Sequence, residues 1–322
     1  MAIRQLTFGI LLTTGYAAMA QQTEPYSMAL MSPFQFNPAY AGLSDRIILQ
    51  GSIREQWVNL PGSPSSRFFL ADAPVPALGS GVGLRIQEER FGASRQLTIG
   101  LGWSVSRTLS KGTVLALGLG VSQVRRGLQG SLLRTPSGSY GPNQLDHRDE
   151  GLPAGDLVMQ ALSSEGGIYL KTPFLEAGLA ATHLLPVKLD GGGLQLVLQP
   201  HYTFSAKGFL PVNTQLILEP GMLGRYVAGA FQLDTWISGN LREKFTLGTG
   251  FRGFSPATLD ACLVTGGISL SERLSLQYTY AIPLSPLRTV QAGSHEFMVR
   301  YHIDAKLGRG VLPPIIYNPR NL

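Results

Sequence analysis

The chain predicts an all-β protein, a transmembrane, antiparallel, up-and-down β-barrel of about fourteen strands. Three observations predict it. Apolar residues recur with a period of two along most of the 322 residues. No stretch after the first twenty residues approaches the roughly 18 consecutive apolar residues of a membrane-crossing helix. Long and short connections fall on opposite sides of the predicted strand order, as they do in barrels that span an outer membrane.

The first element, residues 1–20, reads as a secretory signal: Arg4 is the positive end, Leu6 to Leu12 the apolar run, and Ala18-Met19-Ala20 a small-x-small cleavage site. Cleavage is expected after Ala20. The single cysteine, Cys262, lies far downstream, so no lipidation motif ends the signal and no intrachain disulfide can form. Cys262 falls in an alternating segment, where a small apolar filler needs no further role.

Without Arg4, 25 basic residues face 20 acidic ones. That balance invites a nucleic-acid reading, but the basic residues are scattered, with no Lys/Arg run and no Arg-aromatic block, so no nucleic-acid partner is expected. Charged residues make up 14%, against about 25% in soluble proteins, and glycine is abundant at 39. Both point away from a cytosolic enzyme and toward a membrane or fibrous setting; with the barrel pattern, outer-membrane lipid is the expected surrounding.

Residues 21–45 form a lead-in segment. Within it "FNPAYAG", Phe36 to Gly42, carries Asn37-Pro38 and Ala41-Gly42, which favour turns over a strand. The expected placement is at or inside the periplasmic mouth of the barrel, seated by Phe36 and Tyr40.

The barrel itself is expected over residues 46–304. Leu97, Ile99, Leu101, Trp103 and Val105 alternate with polar or small residues, which gives a strand one greasy and one wet face. The same alternation places strands near 46–57, 66–73, 80–88, 95–107, 112–126, 166–172, 174–184, 194–205, 213–219, 226–239, 244–253, 258–269, 272–283 and 294–304. With both ends periplasmic, the odd connections are the outer ones. The longest, Gly127 to Glu165, is the fifth, while the tight turns at Ser110-Lys111, Thr172-Pro173 and Ser269 to Glu272 are even.

The face opposite the apolar set carries Arg54, Gln56, Arg85, Gln87, Gln232, Asp234, Arg252, Asp260, Glu296 and Arg300. A lumen of mixed charge follows. It is filled by a salt-bridge network or it is a selective pore, and no pattern demonstrates an open path. Trp57 is expected at the outer interface, where aromatic girdles lie.

Catalytic and metal signatures are missing. His147, His183, His201, His295 and His302 are well separated, with no ligand pair at metal spacing. "DHRDE", Asp146 to Glu150, mixes both signs in a Gly- and Pro-punctuated connection and reads as a solvated loop. The glycine-rich runs at Gly118 to Ser122 and Gly248 to Ser255 lack the Lys-Ser/Thr ending and the helix of a phosphate loop, so small inward residues on strands explain them. No cofactor and no enzyme activity are expected.

Four stretches carry a family resemblance. They are "FNPAYAG" with "REQW" and "LPGSP"; "EGGIYLKTPFLEAGLAATHLL", Glu165 to Leu185; "LQPHYTFSA", Leu198 to Ala206, running on to "LEPGMLGR"; and "SHEFMVRYHI", Ser294 to Ile303. In this order the chain resembles the PorP/SprF-like membrane proteins of the Bacteroidota type IX secretion system. Two departures are Glu165, where the family more usually has Asp, and a tail over residues 305–322 that carries "LPPIIYNP".

The resemblance implies a non-enzymatic outer-membrane component that assists export or surface attachment of cargo with a C-terminal sorting domain, a motile adhesin in gliding members. It also implies contact with periplasmic or ring components of the machinery, for which the tail is a candidate; a disordered end is the alternative. The competing function is a channel or hydrophobic-compound transporter. The candidate structural or partner-contact residues are Phe36, Asn37, Pro38, Tyr40, Gly42, Arg54, Gln56, Trp57, His201, Tyr202, His295 and Glu296.

Overall fold

A computed structural model describes residues 27, 31–141, 144–149, 151–254 and 258–305. The signal segment and the tail beyond residue 305 lie outside the described residues.

Fourteen strands form the wall: β1 (Ile47–Glu55), β2 (Ser65–Val75), β3 (Ser80–Phe91), β4 (Ser94–Ser110), β5 (Thr113–Gln129), β6 (Asp156–Lys171), β7 (Leu175–Thr182), β8 (His201–Gly208), β9 (Leu216–Val227), β10 (Ala230–Leu241), β11 (Phe245–Arg252), β12 (Ala261–Ser269), β13 (Leu274–Pro283) and β14 (Ser294–Ile303). Each pairs antiparallel with its chain neighbours, and β14 pairs with β1, so the sheet closes. Closure leaves no sheet edge to face hydrocarbon, which is what a β-protein in lipid requires.

The strand number agrees with the sequence pattern, but four strands are bounded differently. The strand expected at 166–172 begins ten residues earlier, at Asp156, because it pairs along the whole of β5. The alternating run 194–205 divides at Gln199-Pro200: Leu194–Leu198 pairs with Val187–Gly191 in a separate hairpin, and only His201 onward enters the wall. Pro200 has no N–H to give a ladder, and the division falls there. The strands expected at 213–219 and 226–239 are Leu216–Val227 and Ala230–Leu241, with the reversal at Ala228-Gly229 (φ +47° and +90°). Periodicity continues across so tight a turn, so alternation alone misplaces it.

Both ends of the barrel strands, Ile47 and Ile303, lie at one rim together with the even connections. The long connections 130–155 and 183–200 lie at the other. In bacterial outer-membrane barrels these rims face the periplasm and the exterior respectively. Two odd connections, 92–93 and 228–229, are nonetheless as short as any turn.

The wall is uneven in height. β4 and β5 have 17 residues each, which at about 3.3 Å per residue reach about 56 Å, beyond an apolar band of about 25 Å even when tilted. The hairpin Val187–Leu198 folds inward over this tall wall, burying Val187, Leu189 and Leu198 against Val124 and Met159 on the inner faces of β5 and β6.

Sidedness is inverted relative to a soluble fold. Leu101, Leu119, Leu179 and Leu247 are exposed on the outside, while Gln50, Arg54, Asp234 and Glu296 are buried inside. An exterior of exposed leucine is unfavourable in water and matched to lipid. Cys262 also points outward, as Ala261 and Leu263 are the buried neighbours on its strand. Asp260 departs from the sequence-based lumen set: it lies just before β12 in an outer connection, where it accepts from Ser285 Oγ at 3.2 Å. The lumen-facing register starts one residue later, at Ala261.

Candidate functional site

The lead-in lies inside the barrel. Ser27 is near the long-loop half of the lumen, and the chain descends from Ser32 through short 3-10 turns at Pro33–Gln35 and Pro38–Tyr40 before entering β1 at the short-turn rim. Proline at the first position of each turn presets the backbone angle.

Asn37 fastens the middle of this segment. Its Oδ1 accepts from Ala39 N–H at 3.0 Å, capping the second turn. Its Nδ2 donates to the carbonyls of Ile168 on β6 and Leu179 on β7, at 3.0 and 3.2 Å. The residue is fully buried, so its polar atoms need these partners.

Glycines in the wall make room. A β-carbon on Gly178 would stand 2.8 Å from Asn37 Nδ2, and one on Gly102 would stand 2.7 Å from the Phe34 ring. Gly83, Gly118 and Gly167 meet Phe34, Ala39 and Asn37 still more closely. The small inward residues read from the sequence at Gly118 and Gly120 thus have a specific use at Gly118: they form a groove that the lead-in fills. Gly42, at φ +66°, lies against Gly81 and donates its N–H to Asp72 Oδ1 at 3.1 Å. Ser104 Oγ donates to Ala41 O at 2.6 Å.

Apolar packing extends across the lumen. Phe34 and Ala41 cluster with Ile48, Phe68, Leu70 and Leu223, so the lead-in touches β1, β2 and β9 as well as β3 to β7. Phe36 and Tyr40 are partly buried against this cluster, and Tyr40 also meets Tyr169 edge to face at 4.9 Å. Burying Phe34 and Leu43 contributes roughly 3–6 kcal/mol toward holding the segment.

Charged side chains fix the lead-in from both sides. Arg85 donates to the carbonyl of Gln35 at 2.6 Å and pairs with Glu165. Toward the long-loop half, Arg54 pairs with Glu296 at 3.2 Å and donates to Ser27 Oγ at 2.9 Å. Glu296 also accepts from Ser27 N–H at 2.8 Å. Arg252 donates to the same Ser27 hydroxyl at 2.9 Å and pairs with Asp234, which also holds Arg225 at 2.7 Å. Desolvating so many charges is costly and returns little net stability. What the network supplies is position: residues far apart in sequence hold one short segment.

The candidate residues therefore divide into two sets. Phe36, Asn37, Pro38, Tyr40 and Gly42 lie in the lead-in, and Arg54 and Glu296 meet in the lumen network. Gln56 is buried at the outer end of β1, its N–H donating to Pro64 O. Trp57 follows at φ +50°, with its N–H on Ser294 Oγ at 3.2 Å. Tyr202 and His295 face away from the lumen: Tyr202 is 52% exposed beside Tyr226, and His295 Nδ1 lies 2.6 Å from Tyr278 Oη. His201 faces inward, edge-on to His183 at 5.5 Å.

Sequence reasoning missed Arg85-Glu165 as a pair, the glycine groove, and the contact of Ser163 Oγ with His183 Nδ1 at 2.7 Å. Ser163 is buried, and its partner is the ring nitrogen, so this contact orients His183 and offers no exposed nucleophile. Burial pushes the His183 pKa below its ordinary value, against the opposing charge of Glu165. In the 144–149 loop, Asp146 and Asp149 accept backbone N–H groups of Arg148 and Gly151 and are exposed, but the loop is not solvated throughout: His147 is buried, with its Nδ1 3.2 Å from Tyr140 Oη; Glu150 lies outside the described residues. Among the described residues no group of three His, Cys, Asp or Glu could hold a metal.

No curated protein sequence matches the chain. Among solved structures, it is similar to the Ralstonia pickettii toluene transporter TbuX, with 13% identity, 85% of this chain and 92% of that one covered, and a TM-score of 0.48. It is also similar to the P. putida toluene transporter TodX, at 11% identity, 88% and 95% coverage and a TM-score of 0.47. The translocator domain of the autotransporter NalP from Neisseria meningitidis gives 11%, 80% and 87%, with a TM-score of 0.42. The family described as type IX secretion system membrane protein PorP/SprF matches residues 18–301. With the closed fourteen-strand wall and the matched span covering nearly the whole chain, this protein belongs to the PorP/SprF family of type IX secretion system membrane proteins.

Proposed function

We propose that this chain is a non-enzymatic component of type IX protein secretion in the cell outer membrane, a docking platform that assists export or surface attachment of cargo with a C-terminal sorting domain. Its tall outer wall and long outer connections are the surface for cargo, including gliding adhesins. Its short-turn rim and tail are the surface for periplasmic or ring components. The observation that carries this reading is the filled lumen: a barrel whose own lead-in is hydrogen-bonded to β6 and β7 and packed against β1, β2 and β9 is built to present surfaces. A channel or hydrophobic-compound transporter would need a continuous path where Phe34 to Leu43 now lie.

Affinity purification of the full chain from detergent-solubilised outer membranes, with bound proteins identified by mass spectrometry, tests the proposal. Secretion-machinery components and a protein ending in a sorting domain are expected, together with no conductance in planar bilayers. Steady conductance from the intact protein with neither partner recovered would overturn it.

A further inference from the structure

The wall has a step at its long-loop rim. β7 stops at Thr182, β8 starts at His201, and β9 turns directly into β10 through Ala228-Gly229. β6 instead runs on to Asp156, and its last pairing with β7 is Glu165 with Thr182. Leu184 N–H donates to Ser164 O at 3.1 Å just beyond this point. Residues 156–163 of β6 pair with β5 but with no wall strand on their other side.

A continuous barrel wall keeps the two faces of a strand apart. On β8 and β9, His201 and Arg225 face inward while Tyr202 and Tyr226 face outward. At the step the wall is low: β7, β8 and β9 stay paired only up to Thr182, His201 and Val227. A lumen cavity of about 140 Å³, floored by Gln35 and Phe36 of the lead-in, is lined by His201 and Arg225 and also by Tyr202 and Tyr226. On the lipid face lies an apolar trough of about 390 Å³, walled by Ile168, Leu179, Phe204 and Phe231 with Gly166 and Gly224 among its small residues. The cavity and the trough share Tyr202, Thr203 and Tyr226. A polar chamber and an apolar trough thus stand on opposite faces of the wall, one on each side of its low rim.

We propose that this step is a lateral portal over the low rim that holds one single-chain amphiphile from the outer leaflet, its acyl chain in the trough and its hydrogen-bonding head reaching over the rim into the chamber. The chemistry of each half selects the occupant. The trough is almost wholly apolar and faces lipid, so a hydrocarbon chain loses nothing by entering it. The chamber offers Gln87, Thr98, His183 and Gln232, and its arginines are already paired, Arg85 with Glu165 and Arg225 with Asp234. A small neutral head that hydrogen-bonds fits such a chamber better than a multiply charged one. The floor of Gln35 and Phe36 separates the chamber from the short-turn rim, so the amphiphile is held and not passed across. The portal does not depend on the secretion role, and retained cargo can coexist with an empty portal.

The test uses the full-length protein, purified in a short-chain detergent and incubated with 1-palmitoylglycerol, with retained ligand read by native mass spectrometry. One equivalent on the wild type is expected. Gly166→Phe fills the trough from a position where a β-carbon meets only ordinary contacts, and Tyr226→Ala opens a shared wall residue that is already exposed. Each should weaken retention by about tenfold or more. Gly266→Phe places the same ring on β12, where a β-carbon meets nothing within 4 Å, and should retain the ligand as the wild type does. Folding of every variant is checked by heat-dependent gel mobility. Absence of one-to-one retention on the wild type, wild-type retention by both Gly166→Phe and Tyr226→Ala, or equal loss in Gly266→Phe would each overturn the portal.

Discussion

Asn37 occupies the space that a side chain on Gly167 would fill, and its amide donates to the carbonyl of the next residue, Ile168. The lead-in and the wall are complementary at the level of single atoms: a residue with both a donor and an acceptor on one segment, and the residue with no side chain on the other. The relationship makes the lead-in an integral part of the barrel.

Asn37→Ala should cost about 1–3 kcal/mol of barrel stability, because two donations and a turn cap are lost at a fully buried position. Urea unfolding in detergent micelles, followed by heat-dependent gel mobility, reads the loss. Asn37→Asp keeps the acceptor for Ala39 but not the donors, and should fall no closer to wild type than halfway.

Gly118→Val places methyl groups where Ala39 now runs. Overpacking of this kind costs about 1–3 kcal/mol, and here the lead-in, with fewer cross-strand bonds than the wall, is the part that gives way. Amide hydrogen exchange should show Ala39 and Ala41 losing protection while β4 and β5 keep theirs. An unchanged pattern would mean that the segment is held by contacts other than the groove.

Glu296→Gln keeps the shape of the side chain but removes the carboxylate that lies 3.2 Å from Arg54, a residue only 1% exposed. Removing one partner of a buried pair costs about 3–5 kcal/mol, whereas replacing both by apolar residues is often tolerated. Glu296→Gln should therefore be less stable than the double variant Arg54→Met, Glu296→Leu. The reverse order, measured by unfolding midpoint in one detergent, would show that Arg54 is held by partners other than Glu296.

His183 lies just outside β7, and burial lowers its pKa from the ordinary value of 6.5. A base with a depressed folded-state pKa is neutral in the fold while the unfolded chain takes up the proton. Its contribution to stability is present above pH 6.5 and is lost as pH falls through the folded pKa. His183→Gln should make the stability of the barrel less steep below pH 6.5 than that of wild type. Unfolding midpoints at several pH values check this, with Glu165 and His201, which neighbour the ring, left intact.

By itself the sequence determined the kind of wall and its sidedness. Leu97 to Val105 and Leu274 to Ile282 alternate because a strand puts successive side chains on opposite faces, and that local rule needs no tertiary information. Connection parity followed for the same reason. The charged lumen was legible too, since Arg54, Arg85, Asp234 and Glu296 share the wet face, but which charge meets which was not, because partners such as Arg85 and Glu165 are 80 residues apart.

Tertiary structure decided the rest. Alternation carried straight through Gln199-Pro200 and Ala228-Gly229, so only pairing could say where a strand left the wall. "FNPAYAG" announced turns, but the seat of the lead-in that carries it depended on glycines from four other strands, Gly83, Gly102, Gly118 and Gly167, converging on one path from Phe34 to Ala39. The step beside β6 is a difference in height between strands that barrel closure brings together. It has no local signature, because each strand is regular by itself and the low rim exists only where strands of unequal length stand side by side.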